Sequence, residues 1–413
     1  MKRPIVIVDP RSSGTELAPA FKARGIPAIA ITFPSTKSDH RGFGTEVQNS
    51  DFAEVIPNQP DLAEVLRKYN PLAIIPGADA GVPLADSLSA ALTPDLANDP
   101  KRTLHRTHKA HMQEALAEAG VPYLKTLNTD SESAVTAWLH ENDLVDTPLI
   151  VKPPISAGSD KVFHIPAGAD WKKAFHHILS EPSFLTGKIS ETVVVQEQAL
   201  GTEFAVGTVS ANGQHYPVHL IRYTKASTED RKTVYDHVEF LDFNQEAYGE
   251  LFEYTKQVLD ALGIRWGAAH TEVMLTAKGP RLIETGARML GGPTVGFARE
   301  ATGSSQADKL VEIYADGDVA NKDFVFKKTV MPFFLRSPAA GTIANSEALE
   351  DVHMLPTLLK PFIWFKNGDI VPHTVDYLTS IGIIALSGDR DKVFSDYERI
   401  RVIEAKLVVQ NHK

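Results

Sequence analysis

The sequence predicts a multidomain chain of α/β and α+β character, led by a doubly wound α/β domain. Three observations carry this. The 413 residues suffice for two or three domains, and 43% are hydrophobic, enough for separate cores. The first hundred residues alternate short apolar runs with amphipathic stretches, a βαβα rhythm that builds a parallel sheet. Further on, apolar runs pair around Gly-containing turns, as antiparallel hairpins do. The expected divisions are 1–105, 106–190 and 191–413.

In order, "PIVIVD" is a strand, and "SSGTELAPAFKARG" is a loop and a helix ending at Gly25. "PAIAIT" is a strand, "DLAEVLRKYN" a helix, "PLAIIPG" a strand and "GVPLADSLSAAL" a helix. Ligands of such sheets sit beyond the carboxyl ends of strands, here "DPRSSGTE" and "PGADAGV". After the polar break "TPDLANDP", the stretch 101–122 reads as one helix stopping at Gly120. Residues 148–165 read as strand, Gly/Ser loop, strand, and 191–209 as a β pair. Residues 222–241 look charged and irregular, a loop. A helix over 246–262, a hairpin over 270–288, a helix near 305–315 and a mostly β tail from about 327 complete the chain.

Composition excludes several classes. The net charge of −10 argues against a nucleic-acid-coating protein, though not against a local nucleotide site. With no cysteine, thiolate zinc sites, thiol nucleophiles and disulfides are ruled out. The apolar run before Asp9 is shorter than a signal core and reads as a first strand. No stretch approaches the roughly 18 apolar residues of a membrane span, so a cytoplasmic protein without membrane partner is expected.

The hairpin "HTEVMLTAKGPRLIETGAR" raises the chemical question. With 276–280 as its loop, 275 pairs with 281 and Glu272 faces Glu284, Cβ atoms roughly 4.5–5.5 Å apart. Opposed carboxylates repel, and a divalent cation between them reverses the sign. Oxygen ligands without thiols point to Mg²⁺ or Mn²⁺. The alternative is a pair of solvent-facing glutamates, but Met274 and Leu282 are expected on the same face. In "PLIVKPPISAGSDKV", Lys152 ends an apolar strand before a Gly/Ser loop whose N–H groups can cradle phosphate. It is not a Walker A loop, since the lysine comes first. "QEQALGTE" is a linker able to offer a purine one donor and one acceptor, and Glu203 could take ribose hydroxyls. Lys109 stands near a helix start. Each of the four has a bland reading as an ordinary surface feature.

Their order resembles the ATP-grasp superfamily of carboxylate–amine ligases, over essentially the whole chain. "VKP…SAGSDKV" and "GPRLIETGARMLGG" look most like the L-amino acid ligases, which make dipeptides. The resemblance implies an ATP-grasp fold, with Lys109 and Lys152 on the phosphates. It implies Ser156, Ala157, Gly158 and Ser159 as the lid loop, Glu197 and Ala199 at the adenine, and Glu203 at the ribose. Glu272 and Glu284 become the metal carboxylates for two Mg²⁺ (or Mn²⁺) ions, and Arg288 the group stabilising phosphoryl charge or holding a substrate carboxylate. Many relatives carry Glu-x-Asn where this chain has Glu284-Thr285-Gly286, and some carry glutamate at Gln196. In "YDHVEF", Asp236, His237 and Glu239 stand at a substrate loop and could hold an ammonium, or be a solvated loop. Gly291 and Gly292 would leave room for a substrate side chain. His270 reads as a packed, hydrogen-bonded histidine.

The expected activity is ATP-dependent joining of two L-amino acids through an acyl phosphate, with small-molecule partners, no nucleic acid and a possible homodimer. The alternatives are a carboxylate–amine ligase with another nucleophile, or a non-catalytic nucleotide-binding regulator. Retention of Lys109, Lys152, Glu272, Glu284 and Arg288 argues against the last.

Overall fold

The computed structural model describes residues 2–34, 47–183, 187–226, 234–245, 248–377 and 379–410. The chain packs as two compact units. One covers 1–219, 243–296 and 304–324, the other 220–242, 297–303 and 325–413.

The first unit opens with strands β1 (Ile5–Val8), β2 (Ala28–Thr32), β3 (Glu54–Pro57) and β4 (Ala73–Pro76), all parallel in the order β3-β2-β1-β4. Helices α1 (Leu17–Ala23), α2 (Leu62–Arg67) and α3 (Val82–Leu92) alternate with them. Successive β1 side chains serve different cores. Val6 and Val8 join Leu62, Leu66 and Leu88, while Ile5 and Ile7 join Leu17, Phe21, Leu310 and Tyr314. Burial on both faces explains why β1 reads as an unbroken apolar run. β1 lies between β2 and β4, so the chain reverses direction across the sheet there and opens a crevice beyond the carboxyl ends of β1 and β4.

The single helix expected over 101–122 is two, α4 (Thr103–Thr107) and α5 (Lys109–Glu118). His108 between them is extended, with φ −120° and ψ 117°, and its ring nitrogen accepts from the His111 N–H. The break makes Lys109 the first residue of α5. A four-stranded antiparallel sheet follows, built from β5 (Thr126–Thr129), β6 (Leu149–Lys152), β7 (Phe163–Ile165) and β8 (Val193–Glu197) in the order β5-β8-β6-β7. Helices α6 (Glu132–Glu141) and α7 (Lys172–Ser180) cover it through Val135, Leu139, Phe175 and Ile178.

Next come β9 (Gly201–Ala211), β10 (Gln214–Ala226), β11 (Val234–Leu241), α8 (Gly249–Leu262), β12 (Gly267–Thr276) and β13 (Gly279–Gly286). In the first unit β12 lies between β13 and β9, antiparallel to both. Helices α9 (Thr294–Thr302) and α10 (Gln306–Asp316) follow.

The second unit contains β11, β14 (Thr329–Leu335), β15 (Gly341–Ile343), β16 (Leu358–Ile363), β17 (Ile370–Val371), β18 (Gly382–Gly388), α11 (Arg390–Glu404) and β19 (Val409–Gln410). β11-β14-β18-β16 are consecutive sheet neighbours, and β17-β15-β19 form a small second sheet. Val393 and Ile400 of α11 pack on Phe333 and Ile384.

One expectation is corrected here and one is refined. The supposed loop over 222–241 contains the end of β10 and all of β11, and 227–233 lie outside the described residues. The β tail contains α11. Its apolar stripe is hidden because a core-facing position is Asp396, buried and accepting from the Thr357 N–H and hydroxyl at 2.9 and 2.8 Å.

Candidate active site

The hairpin turns through Ala277-Lys278, with Thr276 paired to Gly279 and Leu275 to Pro280. This is one residue out of register with the expected 275–281 pairing. A bulge at Ile283 restores the register, and Glu272 does face Glu284. Leu282 is the casualty: it faces fully buried Val273 rather than sharing the glutamates' face. Its N–H donates to the Tyr254 hydroxyl at 2.8 Å.

Cross-strand partners share a face. Glu272 faces Ala205, Met274 faces Glu203, and His270 faces Gly207 and Gly286. Glu203, His270, Glu272 and Glu284 therefore stand on one face. Onto it comes Lys109, its Nζ 3.1 Å from Glu284 Oε2 and donating to the Ser156 carbonyl at 2.7 Å. The Lys109 N–H donates to the Pro154 carbonyl at 2.9 Å, fixing the start of α5 against the loop after β6. Lys152 is buried and donates to Gln196 Oε1 at 2.9 Å, while Gln196 Nε2 donates to Thr126 Oγ1 at 2.8 Å. Burial, and then Lys109, pull the Lys152 pKa from 10.5 to about 8, against the pull of Glu284, Glu272 and Glu203. Burial pushes Glu284 up, but Lys109 and Lys152 outweigh it and hold the carboxyl below its usual range. A neutral amide at Gln196 orients Lys152 without cancelling its charge, a contribution the sequence did not suggest.

The 156–159 loop carries two successive left-handed residues, Gly158 (φ 64°) and Ser159 (φ 63°), and the Asp160 N–H closes back on the Ala157 carbonyl at 3.3 Å. β8 and β9 belong to different sheets, so 198–200 pass between them. The Glu197 N–H is committed to the Lys125 carbonyl at 3.0 Å, and Glu197 Oε1 accepts from the Lys125 N–H at 2.7 Å. Of the Glu197 main chain only the carbonyl can meet a ligand. Ala199 lies within this linker.

Arg288 presents Nε and Nη2 to Asp79 Oδ2 at 2.9 and 2.6 Å, and Nη1 to the Met289 carbonyl at 3.1 Å. Burial works against its charge, and Asp79 more than offsets this. Asp79 comes from "PGADAGV" beyond β4, a segment flagged as a ligand edge without singling out this residue. Gly286 leaves room for the pair, since a Cβ there would press on both partners, 3.0 Å from Arg288 Cζ and 3.1 Å from Asp79 Oδ1. The Gly292 N–H donates to Ser12 Oγ, beyond β1, at 2.9 Å. Gly292 sits at φ 70°, which itself favours glycine, so room for a substrate is not needed to explain it. A Cβ on Gly291 would meet Ser12 Oγ at 3.3 Å.

Asp236, His237 and Glu239 lie on β11, in the second unit, not in a loop. Asp236 accepts from Arg401 (2.6 Å), Tyr397 (2.7 Å) and His237 (2.8 Å). Glu239 pairs with Arg222 and with Arg390, the latter at 2.9 Å. These carboxylates, expected to hold a substrate ammonium, are occupied by arginines of their own unit.

Glu272 and Glu284 suit a hard divalent cation: both donors are oxygens, and they stand opposed across adjacent strands. Among the described residues no group of three or more His, Cys, Asp or Glu side chains forms a metal cluster. Glu272 and Glu284 could hold such an ion, and phosphate or water oxygens would complete its shell. The buried Nε2 of His270 lies 3.2 Å from Glu272 Oε1 and donates to it.

A family model described as an ATP-grasp domain matches residues 145–296. Dapdiamide A synthase of Enterobacter agglomerans is 30% identical over 422 residues, spanning 98% of this chain and 96% of that protein. The L-arginine-specific L-amino acid ligase of Bacillus subtilis is 21% identical over 272 residues, 65% of this chain and 63% of it. The crystal structure of L-amino acid ligase from Bacillus licheniformis superposes over the full length of both chains with a TM-score of 0.73 at 17% identity, a likeness of fold. Among the described residues no helix is long and apolar enough to cross a membrane.

Proposed function

The chain belongs to the ATP-grasp family and is a carboxylate–amine ligase; from that premise we propose that it joins two L-amino acids into a dipeptide, converting ATP to ADP and phosphate. The observation that carries the reading is the convergence of Lys109, Lys152, Glu272 and Glu284, two cations against two opposed carboxylates. That is the charge pattern a metal-bound triphosphate requires. The amino acid part rests on the relatives and on the Arg288 fork, which matches a carboxylate.

A free carboxylate is a poor electrophile, so it must first be activated. Its oxygen attacks the γ-phosphorus of ATP, ADP leaves, and an acyl phosphate forms. The neutral amine nitrogen of the second amino acid attacks the acyl carbon, phosphate leaves with the C–O electron pair, and the proton lost from the nitrogen ends on the phosphate. Lys109 and Lys152 hold the phosphates and disperse the developing charge. Arg288 holds the acid or its phosphoryl group. One or two Mg²⁺ ions on Glu272 and Glu284 would supply charge neutralisation between the phosphates. The 156–159 loop excludes water, which would otherwise hydrolyse the acyl phosphate. Glu197, Ala199 and Glu203 serve the nucleoside.

Phosphate release over pairs of the twenty amino acids, with products identified by mass spectrometry, tests this. The expected result is release that needs two amino acids and a product of their summed mass less water. Release with one amino acid and a different amine would refute the dipeptide assignment and favour the second reading, a ligase with another nucleophile. That reading is kept because the 30% identical relative is named for dapdiamide A and not for an amino acid pair.

A further inference from the structure

We infer that Asp79 is the acceptor for the α-ammonium group of the amino acid that docks on Arg288, and that the Asp79–Arg288 ion pair selects for zwitterions. The inference rests on the ligase reading above and names a residue that reading does not use.

Both parallel donors of the Arg288 fork are taken by one oxygen of Asp79. A carboxylate of the chain thus stands where a substrate carboxylate would bind. The Asp79 side chain is 49% exposed, so it can be approached and can turn away, whereas Arg288 is 15% exposed and anchored through Met289. An incoming ammonium needs an anionic partner, because a buried unpaired charge is heavily penalised. Glu284 is already paired with Lys109, and Glu272 accepts from His270. Asp236 and Glu239 are held by arginines of the second unit. Asp79 is the carboxylate on the Arg288 fork itself.

A zwitterion can insert into this pair without stranding a charge: its carboxylate takes the Arg288 fork and its ammonium takes Asp79. A plain carboxylic acid would displace Asp79 into solvent and make one ion pair where a zwitterion makes two. A plain amine would take Asp79 and leave Arg288, 15% exposed, unpaired. Two loops from distant parts of the chain, "PGADAGV" and "ETGARML", thereby form a filter for α-amino acids. Gly286 is part of it, since a side chain there would press on both partners.

The test uses the full-length protein with saturating MgATP. The probes are the amino acid giving the most phosphate release and the same acid without its α-amino group, the second measured as an inhibitor. Wild type should favour the amino acid at least about tenfold. Asp79→Asn should weaken the amino acid about 10–100-fold, the range for a charge-assisted hydrogen bond, and leave the desamino acid as tight or tighter. Asp79→Glu, which keeps the charge, should recover part of the preference. Equal weakening of both probes would overturn the inference, leaving Asp79 a mere support for Arg288. So would unchanged binding of both. Wild-type protein that releases phosphate with no amino acid would refute the ligation reading itself, a result visible before any variant is made.

Discussion

Replacing Glu284 by glutamine removes one charge at nearly constant shape. In the ligand-free protein the effects oppose each other. Lys109 Nζ stands 3.1 Å from Glu284, worth ~5 kcal/mol at an effective dielectric of about 20, and burial of the charged carboxyl works against this. Solvent at Glu284, 29% exposed, weakens both terms, so the unfolding free energy should change by only ~1–2 kcal/mol. The liganded protein should behave differently. At a nucleotide concentration of about 100 Kd, MgATP stabilises wild type by ~2.7 kcal/mol. If the variant binds about 100-fold more weakly, the same concentration yields only ~0.4 kcal/mol. Turnover should fall about 10²–10³-fold. Thermal unfolding with and without MgATP, beside phosphate release, reads both quantities. A Glu284→Gln protein that keeps the full MgATP-induced shift would refute the assignment of this carboxylate to the cation.

Three further outcomes follow from the same geometry. Lys152, with its pKa near 8, should lose its proton as the pH rises from 7 to 9, so initial nucleotide affinity should fall across that window; titrations at fixed ionic strength check this. The sign for folding is opposite, since the burial penalty on charged Lys152 is present below about pH 8 and is relieved above it. His270→Ala, which removes the donor to Glu272 Oε1, should raise the Mg²⁺ concentration needed for half-maximal rate more than it changes KM for ATP, as a magnesium titration would show. Asp236→Ala, which leaves Arg401 with Glu404 as its remaining carboxylate partner and deprives Tyr397 and His237 of their acceptor, should lower stability by about 1–3 kcal/mol in denaturant unfolding, the range for leaving buried donors unpaired.

Much of the site is legible in the sequence, because strand and turn chemistry act locally. The apolar alternation of β12 and β13 about a short turn places Glu272 and Glu284 on adjacent antiparallel strands. The register is not fully legible: Thr276, Gly279 and Pro280 belong to the strands and not to the expected 276–280 loop, and only the Ile283 bulge brings the glutamates level again. Lys109 is placed by the His108 break, which a helical apolar period running through it conceals. β11 is obscured because "YDHVEF" carries Asp236 and Glu239, whose carboxylates are satisfied by partners on α11 and β10, and His237, which bonds to Asp236 beside it. Asp79 is invisible for the same reason: its partner Arg288 is 209 positions away. The available signal was positional, an acidic residue past a parallel strand next to the sheet's point of reversal.

Crystals grown with Mn²⁺ and a non-hydrolysable ATP analogue, with anomalous scattering recorded at the manganese edge, test the central claim most directly. The expected result is a manganese peak bridging Glu272, Glu284 and the phosphate oxygens, with Lys109 and Lys152 on the triphosphate. Nucleotide bound elsewhere, with both carboxylates turned to solvent and no peak between them, would contradict it.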